Sequence, residues 1–124
     1  MLVYDTGALL AAERGGQRMW KLHQQMLRAG LRPIVPGVVL AQAWRGGPQH
    51  NLSRLLRGCN VLADDEGLCR AAGRACGLAG TADVVDALIA VIATRLGAGV
   101  VTSDPNDLAH LAGALGTPLT LHAV

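Results

Sequence analysis

Four aspartates in the last third of the chain stand at spacings that could hold a metal ion. Asp83 and Asp86 lie three residues apart in an apolar segment, residues 82–96, that is typical of a buried helix, and residues three apart share one helix face. Asp86 is flanked only by Val, Ala, Leu and Ile residues, with no Lys or Arg one turn away. An unpaired carboxylate is unfavourable both in a helix interior and in apolar surroundings. A divalent cation bound to Asp86 would offset this cost.

The second pair, Asp104 and Asp107, follows a short apolar strand predicted at residues 99–102. The sequence D-P-N-D is nearly an ideal helix start, with Asp at the N-cap, Pro at the first helical position and an acid at the third. Asp5, which ends a first apolar strand at residues 2–4, has an equally simple explanation as the N-cap of the next helix. Capping alone would explain these three acids, so Asp86 is the residue that favours a metal site.

The composition indicates one domain, residues 1–124, with an aliphatic core, since the chain has no Phe, one Tyr and two Trp. No apolar run approaches the roughly 18–20 residues that span a bilayer, and no signal peptide precedes Asp5, so we expect no membrane association. Three cysteines without a C-x-x-C pair indicate buried, reduced thiols of a cytoplasmic protein. The four histidines are scattered without the spacing of zinc ligands.

The charges are unevenly distributed although the net charge is only +2. Five of the nine acids are the aspartates already named, and without them eleven basic residues face four acidic ones. An acidic spot on a basic scaffold suits a polyanionic substrate that is reached through metal ions. An ordinary solvated surface whose charges happen to separate in this way is the alternative.

Short apolar strands alternate with amphipathic helices, which predicts an α/β domain with a central, mostly parallel sheet of four to five short strands flanked by helices. Strands are predicted at residues 2–4, 33–36, 59–62, 99–102 and 119–121. Helices are predicted at residues 7–12, 17–29, 37–44, 51–57, 82–96 and 105–115, and a further helix runs from the acidic residues 64–66 to about residue 79. Thr81 is the predicted N-cap of the sixth helix. Asp5 and Asp104 would then lie at the carboxyl ends of strands, where open α/β sheets bind their ligands.

Four motifs in order carry a resemblance to a known family: V-Y-D-T-G-A-L-L-A at residues 3–11, V-P-G-V-V-L-A-Q-A-W at 35–44, D-V-V-D-A-L-I-A at 83–90 and V-V-T-S-D-P-N-D-L at 100–108. Over essentially its whole length the chain resembles a PIN domain, in particular a VapC-type toxin ribonuclease of a toxin–antitoxin pair. The resemblance implies a Mg²⁺- or Mn²⁺-dependent endoribonuclease that hydrolyses RNA phosphodiester bonds by metal-activated water. It also implies a cognate antitoxin protein as partner and a homodimer.

The resemblance assigns roles to residues of this chain by motif position. Asp5, Asp86 and Asp104 would hold the metal, and Asp83 and Asp107 would be supporting ligands or lie just behind them. Asp83 and Gln42 complete the candidate catalytic set. The hydroxyl residues Thr6, Thr102 and Ser103 match polar positions of the family and are candidates for binding substrate, and Arg14, Arg18 and Arg45 are candidates for holding the RNA strand.

One departure from the family pattern concerns Gln42, because the family usually has a glutamate at this position. An amide oxygen can bind a cation or orient a water but brings no charge, so a hard-cation site would be weakened unless Asp83 or Asp107 compensates. A second interpretation is therefore a non-catalytic PIN-like module that binds RNA or a partner protein. A phosphoacceptor receiver domain is disfavoured, since Asp5 is single and Lys21 is the only lysine.

Overall fold

A computed structural model describes all 124 residues. Its five strands and seven helices are, in chain order, β1 (Leu2–Tyr4), α1 (Thr6–Glu13), α2 (Gln17–Arg28), β2 (Ile34–Pro36), α3 (Gly37–Ala43), α4 (His50–Arg57), β3 (Asn60–Leu62), α5 (Glu66–Ala79), α6 (Val84–Leu96), β4 (Gly99–Thr102), α7 (Pro105–Leu115) and β5 (Leu121–Ala123).

The strands form one sheet in the order β3-β2-β1-β4-β5, and every pair is parallel. The chain therefore builds outward from the central β1 in one direction through β2 and β3, then returns and builds in the other direction through β4 and β5. Right-handed crossovers place α1–α4 on one face and α5–α7 on the other, and the helix contacts divide into these two groups. The point where the direction reverses lies between β1 and β4, which is where such sheets form their ligand crevice.

Aliphatic side chains fill the space between the sheet and the two helical layers. Val3 and Tyr4 of β1 are completely buried, and so are Val100 and Val101 of β4. Helix α6 is buried along seven consecutive residues, Ala87–Ala93, because it lies between the sheet and the neighbouring helices. Asp86 immediately precedes this buried stretch, so its carboxylate stands at the border between core and solvent.

The predicted α/β architecture with a parallel sheet is confirmed, and most element boundaries agree to within one or two residues. Two predictions at element ends are wrong. Helix α6 is capped by Asp83 and not by Thr81, because the Asp83 carboxylate accepts the N–H of Asp86. Strand β5 begins at Leu121 and not at residue 119, because its register is set by pairing with β4, where Val100 faces Leu121.

Two acids that precede α5 serve different helices. Asp65 caps α5, whereas Asp64 accepts the N–H of Val38 in the first turn of α3 at 2.8 Å. The prediction for the cysteines is only partly confirmed. Cys59 and Cys76 are buried free thiols as expected, but Cys69 is exposed. No helix of the fold is by itself long and apolar enough to cross a membrane; only α5 and α6 taken together across their 109° bend reach that length and hydropathy.

Candidate metal centre

Three carboxylates meet where the N-termini of α6 and α7 approach each other. Asp83 caps α6, Asp86 lies in the first turn of the same helix, and Asp107 lies in the first turn of α7. One carboxylate oxygen from each lies within 4.8 Å of the others. A small cavity of about 100 Å³ lies against them, and Thr81, His110 and Leu111 complete its lining. We refer to these three aspartates as the aspartate cluster.

Asp86 is the electrostatic centre of the cluster. Burial is the largest cause that raises the pKa of its carboxyl, to about 7, and the neighbouring Asp83 is the next. Asp107 and Asp5 raise the pKa of Asp86 further through their charges. Without a counter-charge, one carboxyl of the cluster therefore holds a proton near neutral pH, as expected when acids share a confined site.

Asp5 and Asp104 form a neighbouring group that is joined by Thr102. Asp5 is buried at the end of β1, caps α1 by accepting the N–H of Ala8 at 2.8 Å, and has a pKa raised above its usual value, mainly by burial. The Thr102 hydroxyl and two backbone N–H groups lower the pKa of Asp5 in part, and the charge of Asp104 raises it. Thr102 also accepts the N–H of Asp104 at 2.9 Å. Its side chain is completely buried, so Thr102 is placed to position the two acids.

The structure thus divides the predicted ligands into two groups. Asp86 lies with Asp83 and Asp107, whereas Asp104 lies beside Asp5 and makes no side-chain capping bond to α7. Asp5 connects the groups, because its charge contributes to the raised pKa of Asp86. The two residues expected as supporting groups, Asp83 and Asp107, are the ones that share a cluster with Asp86.

The two remaining hydroxyl residues lie at the rim of the same sheet edge. The Thr6 hydroxyl, one residue after Asp5, donates to the Oε1 atom of Gln42 in α3. Ser103 packs against Gly7 so closely that a Cβ at Gly7 would lie 1.8 Å from the Ser103 Oγ atom. Glycine at this position is therefore what allows the turn after β4 to approach the first turn of α1. Gln42 and Ser103 are both exposed, as a substrate contact requires.

The three arginines predicted to hold RNA are exposed, and none of them lines the cavity of the aspartate cluster. Helix α1 runs from Asp5 back along the sheet, and Arg14 follows its last residue, about 13 Å along the helix axis from Asp5. Arg18 lies in the first turn of α2, which begins shortly after that far end. Arg45 follows α3, and its guanidinium donates to the carbonyl oxygens of Ala41 and Trp44 at 3.2 and 2.7 Å.

His110 is a site residue that the sequence analysis did not select. It lies one turn after Asp107 on α7, lines the cavity of the aspartate cluster, and donates through Nε2 to the carbonyl oxygen of Ala79 at 2.8 Å. That bond fixes the orientation of the ring at the cavity wall. The spacing of three residues between Asp107 and His110 was the available signal, since it predicts a shared helix face.

The aspartate cluster fits a hard divalent cation. Its ligand atoms are carboxylate oxygens, which Mg²⁺ and Mn²⁺ prefer, and the raised pKa of Asp86 shows that the cluster lacks a compensating positive charge. Its position at the carboxyl edge of the sheet, open to solvent through exposed Asp83 and Asp107, leaves room for a further ligand such as a phosphate oxygen.

No protein-family model matches the sequence, and no curated protein matches it either. Solved structures do match over nearly the whole chain. VapBC2 from Rickettsia felis, solved bound to a DNA fragment from the promoter of its own genes, gives a TM-score of 0.70 at 16% identity, covering 99% of this chain and 98% of that one. FitAB bound to the IR36 DNA fragment gives 0.69 at 14% identity, covering 99% and 94%. These matches confirm the predicted PIN-like fold.

Proposed function

We propose that the chain is a Mg²⁺- or Mn²⁺-dependent endoribonuclease whose metal is held by Asp83, Asp86 and Asp107, with Asp5 and Asp104 beside them. The observation that carries this proposal is the aspartate cluster at the carboxyl edge of the sheet, with the pKa of Asp86 raised to about 7. A cation bound there would lower the pKa of a water and offset the charge that develops on a phosphodiester.

The side chains in and around the cluster have different roles in the proposed reaction. Asp83 is held by its bond to the N–H of Asp86, so its second oxygen is free to face the cavity. Asp86 exchanges a proton near neutral pH, which suits a group that must give up that proton when a cation binds. Thr102 orients Asp5 and Asp104, and His110 is fixed by Ala79 at the cavity wall, where it can position the carboxylate side chains or a bound water.

RNA is proposed as the substrate on the resemblance to VapC-type ribonucleases and on the excess of basic residues outside the acidic edge. Thr6, Gln42 and Ser103 at the rim are the proposed substrate contacts. Arg14, Arg18 and Arg45 would contact only a strand that extends well beyond the cluster.

The direct test is cleavage of a panel of structured and single-stranded RNAs, with DNA of the same sequences for comparison, in Mn²⁺ or Mg²⁺ and with EDTA. Wild-type protein should cleave RNA only with metal, and Asp86→Asn should reduce the rate at least about 100-fold. Asp65→Asn is the matched control, because it removes the same charge at the N-cap of α5 and Asn caps as well as Asp. Cleavage that survives EDTA or the Asp86 change would contradict the proposal.

We also propose that the chain works as the toxin of a VapBC-type pair, with an antitoxin as protein partner, and forms a homodimer. The support for the partner is that its structural neighbours, VapBC2 and FitAB, were solved as complexes bound to DNA. Co-expression with the product of an adjacent gene should yield a co-purifying complex with suppressed RNA cleavage. Light scattering of the chain alone should give twice the 12.8 kDa monomer mass.

A non-catalytic binding module is the second candidate, and one observation favours it. Gln42 is exposed and bound to Thr6, so the position brings an uncharged amide where the family pattern has an acid. That function predicts RNA or protein binding that is unchanged by EDTA, with no turnover in either metal. The cleavage panel with a parallel RNA-binding measurement separates the two candidates.

A further inference from the structure

We propose that a cavity at the opposite end of the α5–α7 layer binds a small phosphate monoester with a compact apolar body. The cavity, of about 280 Å³, is lined by two arginines, two threonines and aliphatic side chains; those used below are Arg74 and Leu78 of α5, Val91, Thr94 and Arg95 of α6, and Thr117 after α7. We call it the two-arginine pocket. Its volume lies just below the usual range for small-molecule sites, roughly 300–1,000 Å³, which suits a small ligand.

The two-arginine pocket is separate from the aspartate cluster. Helix α6 connects them, with Asp86 in its first turn and Arg95 in its last. Nine residues of helix place the two sites about 13 Å apart along its axis. The inference therefore does not rest on the proposed nuclease function.

Arg74 and Arg95 are charges without a partner. Neither makes an ion pair, and the one ion pair of the chain joins Arg70 to Glu66. Arg95 lies in the last turn of α6, where the helix dipole favours a cation, so that residue alone would need no ligand. Arg74 lies in the interior of α5, exposed and without a carboxylate partner. Both side chains are exposed and line the same cavity, so one dianion held there can contact two guanidinium groups.

Thr94 adds an unused hydrogen-bonding group at the same cavity. Its Oγ1 atom is buried and has no hydrogen-bond partner. A threonine in a helix adopts either of two χ1 rotamers, so rotation about χ1 can exchange its methyl and hydroxyl positions and turn the hydroxyl toward a ligand. A buried polar atom without a partner is unusual, and a ligand that accepts its hydrogen bond would remove the penalty.

The charge and shape of the pocket select the ligand class. A phosphate monoester carries nearly two negative charges at neutral pH and matches two arginines, whereas a carboxylate would neutralise only one. Leu78 and Val91 offer an apolar surface beside the arginines, and Leu78 is 67% exposed without a ligand. The C-terminal ends of α6 and α7 oppose an anion weakly, so the expected Kd is modest, on the order of 0.1–1 mM.

The test uses phenyl phosphate as probe, titrated into the full chain in EDTA so that no metal can bridge phosphate to the aspartate cluster. Amide chemical shifts and calorimetry report the site and the affinity. Phenyl phosphate should bind saturably and shift the amides of Arg74, Thr94, Arg95 and Thr117. Inorganic phosphate should bind several-fold more weakly, because it lacks the apolar ring. Phenol should not bind, because it lacks the phosphate that the arginines contact. Absence of saturable binding at millimolar probe would overturn the proposal.

Matched variants locate the binding. Arg74→Gln and Arg95→Gln should each weaken phenyl phosphate about tenfold, the loss of one charge-assisted contact, and Thr94→Val should weaken it less. Arg70→Gln removes the same charge one turn earlier on α5 and should leave the affinity unchanged, as should Asp86→Asn. Equal weakening in Arg70→Gln would show a general charge effect and overturn the site. Displacement of the probe by an RNA oligonucleotide of higher affinity would overturn the assignment to a small molecule.

Discussion

The carboxylate of Asp83 accepts the backbone N–H of Asp86 at 3.1 Å, and this single contact both begins helix α6 and brings two acids together. If Asp83 only capped α6, it would have no further role. Asp107, arriving from the first turn of α7, adds a third carboxylate within 4.8 Å. The hydrogen bond that caps α6 therefore also brings together two of the three carboxylates of the candidate metal site.

Metal affinity should increase with pH up to about 7. The pKa of Asp86 is raised to about 7, so below that pH a cation must displace a proton, whereas above it the carboxylate is already charged. We expect the Mn²⁺ association constant to rise about tenfold per pH unit between pH 5.5 and 6.5 and to level off above about 7.5. Calorimetry in two buffers of different ionisation enthalpy should detect about one proton released per metal at pH 6. Metal binding without proton release at pH 6 would contradict the raised pKa of Asp86.

Asp86→Asn should stabilise the metal-free protein at alkaline pH. A raised pKa in the folded state means that the folded chain binds a proton where the unfolded chain does not, so the free energy of unfolding falls as pH rises from about 4 to about 7. Asn removes this loss. The expected gain at pH 8 is about 1 kcal/mol, because solvent screens a half-exposed carboxyl.

Urea unfolding in EDTA at pH 5 and pH 8 measures this effect. The difference between Asp86→Asn and wild type should be larger at pH 8 than at pH 5, while Asp65→Asn should give the same small difference at both. If Asp86→Asn is less stable than wild type at pH 8, the charge of Asp86 does not destabilise the metal-free fold, and the prediction is wrong.

Asp107→Asn should weaken metal binding more than Asp104→Asn. Asp107 belongs to the aspartate cluster, whereas Asp104 lies with Asp5 and Thr102. We expect about 10–100-fold loss of Mn²⁺ affinity for Asp107→Asn and less than about threefold for Asp104→Asn. Both changes remove one charge at the start of α7, so each serves as the control for the other. The reverse order would favour the ligand set that the family resemblance implies.

The difference between those two ligand sets shows what the sequence could and could not predict. Strand ends and helix starts follow from local patterns, so Asp5 and Asp104 were correctly placed at the carboxyl edge of a parallel sheet. Which acids meet depends on how α7 is rotated against α6, and no local pattern encodes that rotation. Thr81 and Asp83 are both residues that cap helices, so the start of α6 was ambiguous until the bond to Asp86 was seen. His110 was passed over because its partner, Ala79, is distant in sequence.

Gln42→Glu should increase metal-dependent cleavage. Gln42 accepts the hydroxyl of Thr6, which adjoins Asp5, so a glutamate there can keep the hydrogen bond and add a negative charge at the site edge. We expect a several-fold lower Mn²⁺ Kd and a higher rate, with Gln24→Glu as a control that adds the same charge at an exposed position of α2. Unchanged affinity and rate would assign Gln42 a purely structural role in joining α1 to α3.

The most direct measurement is the position of Mn²⁺ in crystals of the chain, located by its anomalous scattering. The proposed centre predicts a peak between the carboxylates of Asp83, Asp86 and Asp107, which is lost in crystals of Asp86→Asn and retained in Asp65→Asn. A peak held instead by Asp5 and Asp104, or no peak near any of these acids at saturating Mn²⁺, would contradict it.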